Sequence, residues 1–475
     1  MDRDDLCYLP AYRVLELFRA RALSPVELMQ AIIARAEAIN PNINAFGDTY
    51  FDEALVAANA SENRYMSGEA RPLEGVPLAV KDVQRVEGKR TAQASLILKD
   101  HVDDHSDPMI ERLTGAGAII HARTTTPEFA LSGICNSRLW GNTLNPFNPD
   151  YGPGGSSGGS GASLAAGTTV LATGTDIGGS IRIPASCCGV VGYKPPHGRN
   201  PDGPPCNFDT YNHCGPLTRT VRDAALVQNV VSGPHPLDHD SLREHVVIPD
   251  DPAPVGKFRV AWSMDFGYVP IDAEVRANTM RALEVFKSLG CEVEEVDLGW
   301  GPECDEAAMI WYGCMHFGRQ TIWHAEKHAD LMTDYALATA EAARTLTLDD
   351  MARSWEVVHA MYQSFGPVME NHDIFICPTN AVPAIRADHD PFDTDFHIDG
   401  TKVDAEFGWI LTHQFNMLHN CPVMSVPSGF AATGVPTGIQ IVGRTFDDLS
   451  VFRAARAYEA AVSGWFGTAE GRPGL

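Results

Sequence analysis

The chain has 475 residues, of which 44% are hydrophobic and 20% are charged, a composition typical of globular enzymes. Its 36 basic and 61 acidic side chains give a formal net charge of −25, which argues against a nucleic-acid partner and against an anionic membrane surface, since both require a positive face. No apolar run approaches the roughly 20 residues of a membrane span, and the acidic start MDRDDLCYLP lacks the hydrophobic region of a secretory signal. We therefore expect a cytoplasmic protein with neither nucleic acid nor membrane as a partner.

Predicted helices and strands alternate from the N terminus onward. Ser24 begins a capping box with proline at the first helical position, and the helix is expected to continue until Pro41. The apolar run GVPLAV at 75–80 predicts a strand that ends at Lys81, and a helix over 110–118 and a short strand at 119–120 follow.

The same alternation of helix and strand continues to the C-terminal part of the chain. It includes the segments 170–177, 189–195, 221–232, 258–263 and 273–289, with late strands at 374–377 and 438–443. This interleaving predicts an α/β fold, a single large domain over residues 1–475 with a central mixed, mostly parallel twisted β-sheet covered by helices. A separate sub-domain around 300–420 is an alternative to this single domain. The polar stretches 195–214 and 386–399 are expected to be surface or pocket-rim insertions.

The cysteines and the acidic clusters do not form a metal-site pattern. The eleven cysteines are an odd number without a C-x-x-C pair, so we expect buried, reduced thiols. His324 and His328 share the i,i+4 spacing of some metal ligands, and several aspartates crowd 388–399, but both groups lack a complete ligand set. We expect both to be solvated surface, and we predict no metal and no cofactor.

Ser180 follows two glycines in the segment GTDIGGSIR. If the turn is tight, the N–H groups of Ile177, Gly178, Gly179 and Ser180 can converge near the Ser180 hydroxyl, the arrangement that stabilises the oxyanion in acyl transfer. Taken alone, the motif is explained more simply as a glycine turn between a strand and a helix.

Two further residues extend this pattern. Ser156 lies in the glycine-rich run 154–161, which could also be a flexible loop or an anion-binding helix N terminus. The phosphate-loop pattern is not met because no lysine follows the glycines, and the nucleophile-elbow pattern lacks a preceding strand. Lys81 at the end of its strand is either solvated or, in a pocket, a base of lowered pKa. Ser–Lys pairs can replace Ser–His pairs.

Together these segments resemble the amidase signature family. GGSSGGSGA followed by GTDIGGSIRIPAS looks like its defining segment, and GVPLAVKD, TPEFA, GNTLNPFNP, GPLTRTVRDAA and GVPTGIQIVGRTFDD stand in the family's order. The similarity extends from the N-terminal helix to about Asp448, with a signature core of about 75–230. It implies the amidase signature fold.

The resemblance also implies residue roles. Ser180 matches the nucleophile, Ser156 the bridging serine after a cis peptide bond, and Lys81 the terminal base. Residues 177–180 match the oxyanion-hole segment, and Asp176 and Arg182 match a charged pair that braces this loop.

The implied activity is hydrolysis of the C–N bond of a small-molecule amide through an acyl-enzyme, by a monomer or homodimer that resembles aryl acylamidases or urethanases. Carbamates and esters are further substrate classes. The alternative is the glutaminase subunit of a tRNA-dependent amidotransferase, although residues 307–321 lack the SANLSRYDGVRYG-like segment that such subunits normally carry.

Large apolar side chains are the candidate pocket lining. Most of them are expected to be ordinary core, and an aromatic or bulky apolar substrate is expected if several line the site. The candidates are Trp140, Phe147, Phe208, Tyr211, Met309, Trp311, Tyr312, Met315, Phe317, Phe407, Trp409 and Phe415.

Overall fold

One sheet of eleven strands runs through the computed structural model, which describes residues 3–251, 253–462, 464–465 and 468–475. The strands are β1 Phe46–Thr49, β2 Pro77–Lys81, β3 Ile119–Thr124, β4 Asn136–Ser137, β5 Gly141–Asn142, β6 Leu171–Asp176, β7 Val191–Lys194, β8 His213–Thr218, β9 Arg259–Trp262, β10 Glu292–Glu295, β11 Ile374–Pro378, β12 His397–Ile398, β13 Thr401–Lys402, β14 Val423–Phe430 and β15 Pro436–Gly443. The large sheet has the order β1-β3-β2-β6-β8-β7-β14-β15-β11-β9-β10, and β4–β5 and β12–β13 form two small separate hairpins.

Helices surround this sheet. They are α1 Arg3–Cys7, α2 Ala11–Arg19, α3 Pro25–Ile43, α4 Phe51–Ser67, α5 Pro108–Gly115, α6 Gly158–Ala165, α7 Arg182–Cys187, α8 Val221–Val231, α9 Ala273–Ser288, α10 Glu303–Cys314, α11 His316–His328, α12 Asp334–Thr345, α13 Leu348–Asn371, α14 Gln414–Met417 and α15 Asp448–Ala461. Short 3-10 helices cover Glu128–Ala130, Cys206–Phe208, Ala329–Leu331 and Ala469–Gly471.

The predicted α/β fold with a mixed central sheet is confirmed, but the antiparallel share is larger than expected. Of the ten neighbouring strand pairs of the large sheet within the described residues, six are antiparallel and four are parallel. A parallel pair needs a long crossover, usually a helix, whereas β14 and β15 are joined only by residues 431–435. The sheet is therefore antiparallel at its centre, from β6 to β11, and parallel on either side of that centre, while the edge strand β1 is again antiparallel to its neighbour β3.

Several predicted boundaries need correction. Helix α3 continues through Pro41 to Ile43, because a proline in the last turn removes little of the helical hydrogen bonding. The Ser24 hydroxyl accepts the N–H of Val26 at 3.1 Å, so it caps the helix without the predicted reciprocal bond to Glu27. The strand predicted at 119–120 extends to Thr124.

The two polar stretches differ from each other. Residues 386–399 are largely exposed, as expected, whereas the stretch 195–214 is largely buried and ends as the start of β8. Arg199 and Tyr211, for example, are both inside the protein. The second stretch is therefore not a surface insertion, but residues 202–206 and Asn212 line a cavity, which agrees with the pocket-rim alternative.

Of the residues considered as metal ligands, the aspartates lie on the surface as predicted and His324 does not. No three described metal-ligating side chains come together to hold an ion, and none of the described helices combines the length and apolarity that crossing a bilayer requires. The aspartates of 388–399 are exposed, but His324 is buried and its ring stacks on Phe129 at 4.8 Å, which corrects its assignment to the surface. None of the eleven cysteines, all of which lie within the described residues, forms a disulfide, and nine of them are buried.

The sheet itself positions the candidate site. Strands β2 and β6 are parallel neighbours, with Leu78 opposite Leu171 and Ala79 opposite Ala172. Their carboxyl ends therefore meet at one edge of the sheet, where ligands bind in open α/β folds. Lys81 ends the first of these strands, and the loop with Ser180 follows the second.

Candidate active site

Lys81 is fully buried at the end of β2. Its Nζ donates hydrogen bonds to Ser156 Oγ at 2.7 Å and to Thr175 Oγ1 at 2.8 Å. Burial lowers the pKa of Lys81 to about 7, although Cys135 and Asp176 oppose this effect. A large fraction of this amine is therefore neutral near pH 7, and the neutral amine can accept a proton.

Ser156 is buried in the turn before α6, and its peptide bond to Gly155 is cis, as the family resemblance implied. The backbone of Gly133 lies directly against this turn. A Cβ added to Gly155 would lie 2.9 Å from the carbonyl carbon of Gly133, so only glycine fits there. This close packing fixes the Ser156 hydroxyl beside Lys81.

Ser180 is half-buried in the loop between β6 and α7 and faces a cavity. The backbone N–H of Ser157 donates to the Ser180 carbonyl at 3.1 Å, which holds the two serine segments together. Among the hydrogen bonds of the described residues, none joins the Ser156 and Ser180 hydroxyls, so the bonded relay reaches from Lys81 to Ser156. Catalytic hydrogen bonds often tighten only when substrate binds.

The loop of residues 177–180, the predicted oxyanion hole, is oriented through its carbonyl groups. The Tyr312 hydroxyl donates to the Ile177 carbonyl at 3.2 Å, and the Thr412 hydroxyl donates to the Gly178 carbonyl at 2.5 Å. Since the C=O and N–H of a trans peptide point in opposite directions, these bonds also fix the direction of the following N–H groups.

Gly179 departs from the role that the resemblance implied. Its N–H donates to Asp176 Oδ1 at 2.9 Å, so this N–H is already engaged in a hydrogen bond within the protein. The donors left for an oxyanion are the N–H groups of Ile177, Gly178 and Ser180. Gly179 instead shapes the loop, because its φ of +120° and the Thr412 hydroxyl, 1.9 Å from an added Cβ, exclude a side chain.

Asp176 and Arg182 form a buried pair at the base of this loop. Arg182 Nε and Nη2 donate to the two carboxylate oxygens at 3.0 and 2.8 Å, and Asn416 Nδ2 donates to the same carboxylate at 2.8 Å. Burial alone would raise the pKa of Asp176, but the charge and hydrogen bonds of Arg182 and the bond from Asn416 lower it well below its usual range. The loop therefore rests on a permanently ionised carboxylate.

Two adjoining cavities meet beside this loop. Ser180 lines one of about 660 Å³, and Thr175 lines a larger one of about 1080 Å³ that does not include Ser180. Both cavities touch Ile177 and Phe317. Of the apolar candidates, the Ser180 cavity is lined by Met309, Tyr312, Phe317 and Phe407.

The remaining apolar candidates lie elsewhere. Tyr211, Trp311, Trp409 and Phe415 are core residues, as was expected of most of the set. Trp140 donates its indole N–H to Asp82, and Phe208 is 62% exposed.

Sequence reasoning missed several residues that support the site. Thr412, Asn416 and Gln440 all contact the Ser180 loop or Arg182 from more than 200 positions away, so no local pattern could indicate them. Thr175 could have been identified from the sequence, because it directly precedes Asp176 in the segment that resembles the family.

Comparisons with known proteins identify the family and the fold of this chain. The family model described as Amidase matches residues 27–452. The acylamidase of Rhodococcus erythropolis is 33% identical over 469 residues, covering 97% of each chain. A glutamyl-tRNA(Gln) amidotransferase subunit of Geobacter metallireducens is 30% identical, covering 97% of this chain and 98% of its own. The crystal structure of a bacterial aryl acylamidase of the amidase signature enzymes superposes with a TM-score of 0.91 and 30% identity, over 98% of this chain and 99% of that one.

Proposed function

This chain belongs to the amidase signature family and is a hydrolase of amides, and we propose that it works through an acyl-enzyme on Ser180. The observation that carries this proposal is the fully buried Lys81, whose Nζ lies 2.7 Å from Ser156 Oγ. Backbone hydrogen bonding places Ser180 beside this pair, on the wall of a cavity.

In the first half-reaction a proton moves from Ser180 through Ser156 to Lys81. Neutral Lys81 takes the proton of Ser156 while Ser156 takes that of Ser180, and Ser180 Oγ attacks the substrate carbonyl carbon. The resulting oxyanion is stabilised by the N–H groups of Ile177, Gly178 and Ser180, and each such donor is worth ~3 kcal/mol in related sites.

The proton then returns along the same path. It passes through Ser156 to the leaving nitrogen as the C–N bond breaks, which completes acylation and leaves the acyl group on Ser180. In the second half-reaction water attacks the ester carbonyl while the relay takes its proton, and this proton passes to Ser180 Oγ as the bond between Oγ and the acyl carbon breaks, which releases the carboxylic acid and restores the serine. No step needs a metal or a cofactor.

Carbamates and esters belong to the same proposal, because they present a comparable carbonyl to Ser180. The apolar wall made by Met309, Tyr312, Phe317 and Phe407 supports a substrate with an aryl or bulky apolar group. The resemblance to aryl acylamidases supports the same substrate class.

The glutaminase component of an amidotransferase is a second candidate, favoured by the 30% identity with the Geobacter metallireducens protein. A hydrolase acting alone turns over a simple anilide as the purified chain. A glutaminase component instead releases ammonia from glutamine only with its partner proteins present. The anilide assay therefore separates the two.

The proposal is tested with an anilide, an aryl carbamate, a primary amide and an ester as substrates. We expect Ser180→Ala and Lys81→Ala to lower kcat by about a thousandfold or more, as in other serine hydrolases. Ser163→Ala is the matched control, because this buried hydroxyl bonds to the Ser160 carbonyl within α6. Full activity of Ser180→Ala on every substrate would refute the assignment.

A further inference from the structure

Two side-chain hydroxyl groups bind carbonyls in the loop of residues 177–180, and the peptides that they bind differ in what their N–H groups do. Thr412 donates to the Gly178 carbonyl, which belongs to the peptide that carries the Gly179 N–H. That N–H is engaged with Asp176. The Thr412 bond therefore holds the loop but orients no donor that is left for a substrate.

Tyr312 differs, because its carbonyl partner shares a peptide with an available donor. The Tyr312 hydroxyl donates to the Ile177 carbonyl at 3.2 Å, and the same trans peptide carries the Gly178 N–H. Among the described residues, no hydrogen bond uses this N–H, and it is one of the three donors left for an oxyanion. The phenol, this peptide and an oxyanion would thus form one chain of hydrogen bonds.

A hydrogen bond to a peptide carbonyl strengthens the bond that the N–H of the same peptide donates. Accepting the bond draws electron density from the peptide nitrogen towards the oxygen, and this polarisation is larger in the low-dielectric interior of a protein. The bond also holds the plane of the peptide, so the donor does not reorganise as charge develops. Both effects favour the transition state, because the substrate oxygen carries little charge before attack.

Close packing keeps Tyr312 in this position. A Cβ added to Gly178 would lie 2.8 Å from Tyr312 Oη, and the three atoms nearest to it all belong to this side chain. The neighbouring Trp311 donates its indole N–H to Asp209 at 2.8 Å, and its ring stacks on Tyr211 with centroids 4.3 Å apart. Helix α10 therefore presents the phenol to the loop in a fixed orientation.

The phenol also lies where the reaction takes place. Tyr312 lines the same cavity as Ser180, and burial raises the pKa of Tyr312 well above its usual range, so the hydroxyl stays protonated. We propose that Tyr312 is a positioning residue of the reaction, which orients and strengthens the Gly178 N–H as an oxyanion donor through the Ile177 carbonyl. This inference rests on the proposed function, since it requires an oxyanion at Ser180.

Tyr312→Phe tests the inference with the smallest change, because the ring remains and only the hydroxyl is lost. We expect kcat for a neutral anilide to fall by about tenfold, less than the roughly hundredfold loss for removal of an oxyanion donor itself. KM should stay within about twofold, because the lost interaction acts only on the transition state.

Tyr458→Phe is the matched control. The Tyr458 hydroxyl also donates to a backbone carbonyl at 3.2 Å, that of Pro427 in β14, but it contacts no residue of the loop. This variant should keep the kcat of the wild type. A kcat of Tyr312→Phe that equals the wild-type value would overturn the inference.

Two inhibitors separate an effect on the oxyanion from an effect on the shape of the cavity. In phenethyl trifluoromethyl ketone, Ser180 Oγ adds to the carbonyl carbon, the Ser180 proton passes to the relay of Ser156 and Lys81, and the carbonyl π electrons become the oxyanion. The corresponding alcohol has a similar shape but cannot be attacked. The measured quantity is the Ki of the alcohol divided by the Ki of the ketone.

Tyr312→Phe should lower this ratio by about the same factor as kcat, because only the ketone forms an oxyanion. The ratio is taken within one variant, so a loss of folded enzyme cancels. Equal weakening of both inhibitors, with the ratio unchanged, would show that the hydroxyl only shapes the cavity and would overturn the inference.

Failure of the proposed function gives a different result. If Ser180 is not the nucleophile, the wild type binds the ketone no more tightly than the alcohol, and Ser180→Ala keeps its activity. If only the role of Tyr312 is wrong, the wild type still prefers the ketone, Ser180→Ala is inactive, and Tyr312→Phe keeps the full preference.

Discussion

At the scale of single residues, the neighbour of a buried lysine decides whether it can serve as a base. Lys81 and Lys194 are both fully buried, and burial lowers the pKa of each to about 7. Lys194 donates to the carbonyls of Pro195 and Cys421, which have no proton to give. Lys81 contacts the hydroxyl of Ser156 and can withdraw its proton.

The pH dependence of turnover follows from the lowered pKa of Lys81. Below pH 7 the amine is protonated and cannot accept the Ser156 proton, so kcat/KM should rise with pH by up to about tenfold per unit and level off above pH 7. The measurement is kcat/KM for a neutral anilide between pH 5 and 9. Activity that falls as pH rises through 7 would contradict the role of Lys81 as a base.

Gly179 is predicted to tolerate no side chain. In Gly179→Ala the new Cβ would lie 1.9 Å from Thr412 Oγ1 at a φ of +120°, so we expect a loss of at least ~2 kcal/mol of stability together with most of the activity. Gly434→Ala is the matched control, since its φ is also positive (+79°) but nothing lies within 4 Å. Equal effects of the two substitutions on Tm would contradict this explanation.

At the scale of elements, the loop after β6 is held in place by distant parts of the chain. Arg182 joins Asp176 to the Thr412 carbonyl, to Asn416 in α14 and to Gln440 in β15. The loop geometry thus depends on the assembled sheet and not on the local sequence alone.

Removal of Arg182 would leave the Asp176 carboxylate buried without its cationic partner. For Arg182→Met we expect a loss of ~3–5 kcal/mol in the free energy of unfolding, the usual cost of breaking a buried ion pair. Urea unfolding measures it. Arg353→Met is the control, because that arginine pairs with Asp350 on the surface and its loss should cost far less. A loss as small as that of the control would show that the pair does not brace the loop.

Sequence patterns predicted the elements more reliably than their assembly. The strand before Lys81 was correctly predicted, because burial on both faces leaves a continuous apolar pattern. The strand before Ser180 was also correctly predicted, although only its first residues are apolar. The antiparallel centre and the burial of His324 depend on contacts between distant segments, whereas the engaged N–H of Gly179 depends on the turn that brings it to Asp176, three residues earlier.

At the scale of the whole molecule, one sheet connects early and late parts of the chain. Strand β7 pairs with β14, and β11 lies between β15 and β9. The single domain over 1–475 remains a prediction, which this continuity supports.

A single domain should unfold as one unit in urea. We expect the unfolding curves from far-UV circular dichroism and from tryptophan fluorescence to coincide, because the sheet links all of the cores. Two separate transitions would instead support a sub-domain around residues 300–420.

The central claim is that Ser180 is the nucleophile and that Lys81 activates it. It is tested most directly by treating the protein with phenylmethylsulfonyl fluoride and locating the adduct by peptide mass spectrometry. We predict one adduct, on Ser180, that forms together with loss of amidase activity, much more slowly in Lys81→Ala, and not at all in Ser180→Ala. Modification of another serine, or full inactivation of Ser180→Ala by the same reagent, would contradict the claim.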